Sequence, residues 1–528
     1  MPPAARRVDA SGWDDLARRT VPGAFHIHTT RSDGHGDRGQ IAAAAARAGL
    51  QFIILTDHGD ATRPPDPPAY IDGVLVLDAV EISTADGHYV AIDMPRAPYP
   101  LGGAGEAVAE DVRRLGGFGI AAHPDSPKPA LRWSSSVHPD GIEWLNLDSE
   151  WRDETRGQLV RAAAGYLLRQ GPALASILDR PSALSARWPA LLAAGRTIGL
   201  AAADAHGGVG RRQEDPGRSL AGLVGIPGYE ASFRALSNRV ILPRPLSGDA
   251  AADARAIYTA IRAGSVFSAI DSQAAPALLH FSVEAGFQTA AMGAQLPGDA
   301  DATLVVRAPV PPGSRISLVR NGRTVTSIDG GELRHVVTGG SGAYHAEIAI
   351  AGVPGDPPVP WIVSNPIYFG GGGGAVRPPA ASEAPLAANI PPFPWRIEKD
   401  PASSATLRTG ATDATLEFKL ADGARNDQFV ALATDVKPPV TGINLSLAGD
   451  RPMRVSVQLR SPAGGRWGRS LYVDPAGTSI QVPVSSLAPI GTPPGSAGEA
   501  TSLLLVVDLT NAQPGRTGVL RVLASALK

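Results

Sequence analysis

Up to about residue 270 the chain alternates short apolar runs with helix-forming stretches, and beyond about 276 the helix-forming stretches stop. The runs 24–29, 52–58, 74–83, 88–94, 118–124, 142–148 and 197–206 are rich in Val, Ile and Leu and read as strands. Between and after them, the Ala-, Leu- and Arg-rich stretches 40–48, 106–115, 158–169 and 251–262 have helical composition. Strands that alternate with helices predict an α/β domain with a largely parallel sheet.

The segment 276–369 changes to strands and turns, at 278–285, 303–310, 316–325, 344–350 and 361–369, with Asn321-Gly322 as a hairpin signal. It reads as a small β-sandwich. A glycine run at 370–374 and a Pro/Ala-rich stretch to residue 394 form a linker, the sharpest boundary in the chain. Beyond it, β-rich runs including 414–420, 429–436, 443–447, 454–459, 479–484 and 502–509 predict a second sandwich of jelly-roll type. In strand pattern alone this last region resembles galactose-binding-like and carbohydrate-binding modules, which implies a possible glycan contact. Its Trp467 and Tyr472 are expected in the core or scattered on the surface, not as a sugar platform. The expected domains are therefore 1–272 for the α/β part, 273–369 for an Ig-like sandwich, 370–394 for the linker and 395–528 for the C-terminal sandwich.

At 528 residues with no cysteine, the chain excludes disulfides, thiolate metal sites and cysteine nucleophiles. The net charge of −2 and a pI near 6.6 argue against bulk nucleic-acid or anionic-membrane binding. No run of about 20 apolar residues predicts a membrane span, and the first residues lack the apolar core of an export signal. The compartment is left open: cytoplasmic by default, periplasmic or secreted if a signal has been removed.

Histidines and carboxylates collect at the strand ends, where a barrel-like α/β protein builds its site. The segment FHIHTTRSDGHG carries His26, His28, Asp33 and His35; alternation along a strand would put His26 and His28 on one face. Later strands deliver Asp57-His58, Glu81, His88, His123-Pro124-Asp125 and Asp204-Ala205-His206, again two apart. Six such histidines with matching carboxylates point to more than one ion of the Zn²⁺, Fe or Mn²⁺ kind. Glu81, central in the order, is the candidate bridge between two ions.

The motifs FHIHTTRSDG, LTDHGD, DAVEISTADGHYV, IAAHPD and AAADAHG resemble the series of the PHP (polymerase and histidinol phosphatase) metallohydrolases. That resemblance implies a distorted seven-stranded βα barrel and nine metal ligands: His26, His28, Asp33, His58, Glu81, His88, His123, Asp204 and His206. It implies two or three divalent ions (Zn, Mn or Fe). One would be held by His26, His28, Glu81 and Asp204, a second by Glu81, His88 and His123, and a third by Asp33, His58 and His206. Glu81, Asp204 and His206 would be the residues closest to the chemistry. The stretches ARAIYTAIRAGSVFSA, ISLVRNGRTV and WIVSNPIYF resemble the extended, carbaryl-hydrolase-like PHP proteins, in which a sandwich follows the barrel.

Roughly six positive charges from three ions would meet the carboxylates of Asp33, Glu81 and Asp204, leaving the pocket net positive by about three, or about one with two ions. That balance suits a small anionic substrate. The expected activity is hydrolysis of a phosphomonoester or phosphodiester by a hydroxide bridging the metals. The alternatives are a carbamate or carboxylic ester hydrolase with the same centre, and a non-catalytic glycan or surface-binding module. Arg31 and Lys128 are candidates for substrate contact, and Asp57 and Asp125 either orient ligand imidazoles or cap turns. His35 and His138 are expected to hold no ion. The glycine run after His206 lacks the Lys-Ser/Thr of a P-loop and reads as a tight turn, and no G-x-S-x-G elbow is present.

Overall fold

The computed structural model describes residues 4–153, 155–166, 169–181, 184–208, 227–370, 393–423 and 428–527. It is mostly β-sheet and divides into two compact units. Unit 1 comprises Met1–Gly59, Pro65–Pro95 and Val112–Ala375; unit 2 comprises Asp60–Pro64, Arg96–Asp111 and Val376–Lys528. The expected linker falls outside the described residues except for Gly370 and residues 393–394.

Two sheets frame the part of unit 1 that holds the histidines. A five-stranded sheet runs in the order Ile198–Ala202, Gly141–Asn146, Phe118–Ala121, Gly87–Ile92, Val80–Thr84. Thr20–Phe25, Phe52–Leu55 and Val74–Asp78 are parallel neighbours in a second sheet. The apolar run 74–83, expected as one strand, breaks at Ala79 and changes sheet there. Both sheets are mixed, not largely parallel. Gly87–Ile92 pairs antiparallel on both sides: a tight turn at Thr84–Gly87 folds it back on Val80–Thr84, and Phe118–Ala121 runs antiparallel to it on the other side. Among the described residues the strand pairing does not close a seven-stranded βα barrel. Among the described residues, isolated bridges between Ile27 and Ala205 and between His58 and Glu81 join the two sheets, both at the end where the histidines lie.

The interior between these sheets is apolar. Val21, Phe25, Phe52, Ile54, Leu75 and Leu77 meet Val90, Ile92, Phe118, Ile120, Ile198 and Leu200, and helix Ala250–Arg262 adds Ile257 and Ile261. Full burial of each large side chain contributes about 1.5–3 kcal/mol, so the strand ends project from a stiff platform. Helix Arg38–Ala48 starts at Asp37 and Gln40, which cap each other's backbone N–H groups, and stops at Gly49, whose φ of 80° only glycine adopts freely.

The second sheet continues beyond residue 272. Val266–Ala269 pairs antiparallel with Ile362–Ser364, which pairs with Gly342–Ile350. The hairpin expected at Asn321-Gly322 joins Ser314–Arg320 to Arg323–Asp329, with φ of 47° and 80° at the two turn residues.

In unit 2 a six-stranded and a five-stranded antiparallel sheet enclose a core of Leu416, Leu432, Ile443, Leu445, Val455, Val457, Leu503, Leu505 and Leu520. Trp467 belongs to this core and is 7% exposed, while Tyr472 is half-buried. Within the same unit, Arg454 donates to Asp111 through Nε (2.6 Å) and Nη2 (2.8 Å), to Glu110 (2.9 Å) and to the Ala107 carbonyl (2.9 Å). Asn511 donates to the Pro100 carbonyl.

Candidate metal centre

His26 and His28 do converge, but not by strand alternation. Strand Thr20–Phe25 ends one residue before His26, which has φ of 65°. A left-handed residue cannot continue a strand, so the expected strand 24–29 is cut there. The ladder passes to Ala205, which accepts from His28 N and donates to the His26 carbonyl. The two rings end 5.1 Å apart. The same correction holds for Asp204 and His206: strand Ile198–Ala202 stops before them, and Asp204 has φ of 41°. His123, with φ of 26°, is a third left-handed residue just past a strand end. Each such residue costs about 1–2 kcal/mol, and persists only where its surroundings over-determine it.

The structure brings all nine of the residues expected from the sequence to one place. Glu81 is 1% exposed and sits at the middle. Its Oε1 lies 2.7 Å from His88 Nδ1 and 2.9 Å from His123 Nε2. Its Oε2 lies 3.2 Å from His26 Nε2, 3.3 Å from His28 Nε2 and 3.2 Å from His58 Nδ1. The two oxygens thus serve two different sets of imidazoles. Asp204 Oδ1 is 3.5 Å from His26 Nε2 and 3.4 Å from His28 Nε2. Asp33 Oδ2 is 3.6 Å from His58 Nε2 and 3.4 Å from His206 Nε2, while its Oδ1 is 3.3 Å from His28 Nδ1. Side-chain exposure grades from sealed at His26 (0%) and His28 (1%) to open at His206 (17%), Asp33 (25%) and His58 (29%). That side opens onto a shallow, solvent-open pocket also lined by Ser126, Leu131, Asp148 and Ser149.

The electrostatics are those of a pocket crowded with acids. Burial disfavours the charged His26 ring, yet Asp204, Glu143 and Glu81 outweigh it and hold its pKa well above the ordinary value. Desolvation opposes charge on His206 as well, yet Asp33 and Asp204 push its pKa up to about 9. His58 and His123 are raised the same way, against burial, chiefly by Asp33 and Glu81 respectively. Burial dominates at His28 and lowers its pKa. Burial opposes charge on Glu81 and Asp204, but His26 and the other imidazoles hold both well below the usual carboxylate range.

Divalent ions fit this donor set. Among the described residues, His26 Nε2, His58 Nδ1 and His206 Nε2 are buried ring nitrogens with no hydrogen-bond partner, close to carboxylate oxygens but not aligned with them. Buried polar atoms are normally satisfied, and imidazole nitrogens with carboxylates are the donors that Zn²⁺, Fe or Mn²⁺ take. Four overlapping trios have ligand atoms within 4.8 Å of one another: His26, His28 and Asp204; His26, Glu81 and His123; His28, His58 and Glu81; His28, Asp33 and His206.

A residue that sequence reasoning missed completes the centre. Glu143, 1% exposed, accepts from His26 Nδ1 at 2.5 Å, from His123 N at 2.6 Å and from Asn146 Nδ2 at 2.8 Å. Its signal was available as a lone acid in the apolar strand GIEWLN. As a fourth carboxylate it lowers the expected charge of the pocket to about two with three ions, or about zero with two. Asp57 accepts from Thr29 N, Thr29 Oγ1 and Ser32 Oγ, so it braces the loop that carries Asp33. Arg31 is paired with Asp66 at 2.7 Å, on which Arg38 also converges. Lys128 is exposed on the loop between Ser126 and Leu131. His35 bonds the His206 carbonyl, and His138 lies between Thr197 Oγ1 and the Arg196 carbonyl. Gly207 and Gly208 turn the chain after His206 with φ of 79° and 144°; residues 209–210 lie outside the described residues.

No family model matches the chain, and no curated protein does. Among solved structures, a two-domain protein from Bacteroides vulgatus containing a predicted PHP-like metal-dependent phosphoesterase is 15% identical. That match covers 69% of this chain and 100% of that one, with a TM-score of 0.29. The family 11 carbohydrate-binding module of a cellulosomal cellulase of Clostridium thermocellum is 13% identical over 25% of this chain and 86% of its own, with a TM-score of 0.20. Likenesses at such scores carry no conclusion about fold or activity. No described helix is long and apolar enough to cross a membrane.

Proposed function

We propose that this chain is a metal-dependent phosphoesterase of the PHP type, acting on a phosphomonoester or phosphodiester. The observation that carries the reading is the convergence of six imidazoles and three carboxylates on one buried patch, with ring nitrogens left unpartnered. On this reading the histidine-bearing strands of the two mixed sheets, joined at one end by isolated bridges, are an open counterpart of the family's distorted βα barrel, and the stretch to residue 369 is the sandwich of its extended subgroup.

When bound, divalent ions would polarise a phosphoryl oxygen and bring the pKa of water to roughly 7. Glu81 shares its two oxygens between the inner ligand sets, so one carboxylate fixes their spacing. His26, His28 and Glu81 are sealed and keep water from the back of the centre. The more exposed His58, Asp33 and His206 face the arriving ester. Ser126 and Ser149 in the pocket wall offer hydroxyl donors to phosphoryl oxygens, and Leu131 is an apolar part of that wall. No covalent protein intermediate is required.

The test is a substrate panel with Zn²⁺-, Mn²⁺- or Fe²⁺-loaded protein, scored for free phosphate and for free amine or carboxylic acid. Nucleotides and nucleotide phosphodiesters go first. Phosphate release that disappears in the Asp204→Ala, His26→Ala double variant supports the reading. Carbamate or carboxylic ester cleavage without phosphate release on any member would replace it with the carbonyl alternative.

A further inference from the structure

Strand Gly141–Asn146 lies between two of the three strands whose ends carry left-handed residues of the centre. On one side it pairs with Phe118–Ala121, which leads to His123, and on the other with Ile198–Ala202, which leads to Asp204. Its ladder to the second neighbour is irregular. Glu143 is opposite Leu200 and Leu145 is opposite Ala201, so Trp144 is an extra residue on this strand. In a regular strand, residues three apart point to opposite faces. A bulge resets that alternation, and Glu143 and Asn146 reach the same cluster, bonded to each other at 2.8 Å. Trp144 goes elsewhere and donates to Ser268 Oγ.

The contacts of this pair fall on the three left-handed residues. Glu143 Oε1 accepts from His26 Nδ1, and Oε2 accepts from the backbone N of His123. Asn146 Nδ2 reaches Asp204 Oδ2 at 3.2 Å. Among the nine residues of the centre, His26, His123 and Asp204 alone are non-glycine residues with positive φ. With Nδ1 engaged by Glu143, Nε2 is the His26 ring nitrogen that faces Glu81 and Asp204 and would ligate an ion once its own proton is displaced.

We propose that Glu143 and Asn146, brought to one face by the bulge at Trp144, are positioning residues that hold His26, His123 and Asp204 in the strained backbone needed to bind a divalent ion. This rests on the metal-centre reading above. A glutamine at 143 has one acceptor oxygen and one amide donor group. It can serve His26 Nδ1, or the N–H groups of His123 and Asn146, but not both.

The test uses the full chain stripped of metal, in wild-type form and as Glu143→Gln and Asn146→Ala. Zn²⁺ affinity is measured by competition with a chromogenic chelator, and the melting temperature of each stripped protein is recorded. Glu143→Gln is expected to weaken Zn²⁺ about 10- to 100-fold and Asn146→Ala about 10-fold, with the stripped proteins still folded and their melting temperatures lowered only as far as one unpaired buried donor requires. A purely structural role would instead lower the stripped melting temperature and leave the affinity unchanged. Wild-type affinity in both folded variants overturns the proposal and leaves the metal-centre reading standing. Failure of both stripped variants to fold assigns the pair to the fold and also overturns it. A wild-type protein that takes up no divalent ion removes the metal-centre reading and this inference together.

Discussion

Arg454→Met isolates one of the most heavily bonded buried charges of unit 2. The Arg454 side chain is 1% exposed and that of Asp111 is 2% exposed, with Nε–Oδ2 at 2.6 Å. Methionine fills most of the volume but leaves the Asp111 carboxylate buried, with the Tyr99 hydroxyl among its remaining donors. Breaking a buried pair from one side costs about 3–5 kcal/mol, because one charge stays desolvated. For a domain of this size that lowers the unit 2 melting transition by about 10 °C. Arg454→Met with Asp111→Leu removes both charges and should recover most of the loss, since an apolar replacement of the whole pair is often neutral. The assay is scanning calorimetry of the full chain with both single variants and the double, read as a cycle. A loss below about 1 kcal/mol for Arg454→Met, or a double variant costing the sum of the two singles, would refute the reasoning.

Glu347 gives a pH prediction. Its burial is outweighed by His345 and Arg180, and its pKa is lowered to about 2. The depressed value means its contribution, on the order of 3 kcal/mol, is present above pH 4.5 and is lost as pH falls towards 2. Urea titrations from pH 6 to 2.5 should show this loss in wild type and a shallower acid slope in Glu347→Gln. At Gly207, a Cβ would lie 2.2 Å from Tyr229 Cε2, and the Tyr229 hydroxyl donates to the His28 carbonyl. Gly207→Ala should therefore destabilise the protein by about 2 kcal/mol or more and weaken Zn²⁺ binding. Thermal melts and chelator competition check it, and an unchanged affinity would count against the coupling. Stripping the metal with a chelator should lower the melting temperature, and Zn²⁺ should restore it by mass action. That uptake should release protons and weaken as pH falls, because bound imidazoles must be neutral; enthalpies independent of buffer ionisation would contradict this.

Most of the nine converging residues were legible because they follow an apolar run, and a strand that stops at a polar residue can be read from one sequence; Asp33 lies in a polar loop and His88 opens a strand. The geometry that joins the members was not legible. Period-two alternation places His26 and His28 correctly for the wrong reason, since the strand ends at Phe25 and a left-handed residue does the aiming. Glu143 stood out as a lone acid in an apolar strand, but Asn146 was hidden for the related reason that a bulge at Trp144 breaks the same period. The change of sheet at Ala79 is marked only by Asp78 just before it, which a strand end and a strand interior can both carry, so the run 74–83 read as one strand. In the β-rich half, local turn chemistry was enough: Asn321-Gly322 needs positive φ at both residues and takes it.

The unit that contains the C-terminal sandwich also includes Asp60–Pro64 and Arg96–Asp111, segments encoded hundreds of residues earlier. Its boundary in space is therefore not a boundary in the gene. A fragment beginning at residue 376 would carry Arg454 without Asp111 and Glu110, and Asn511 without Pro100, and so present a naked buried guanidinium to solvent. Recombination that exchanged only the C-terminal coding sequence would have to match a foreign sandwich to an upstream docking strip. That makes this sandwich heritable with the upstream segments that complete its unit and a poor candidate for cassette shuffling.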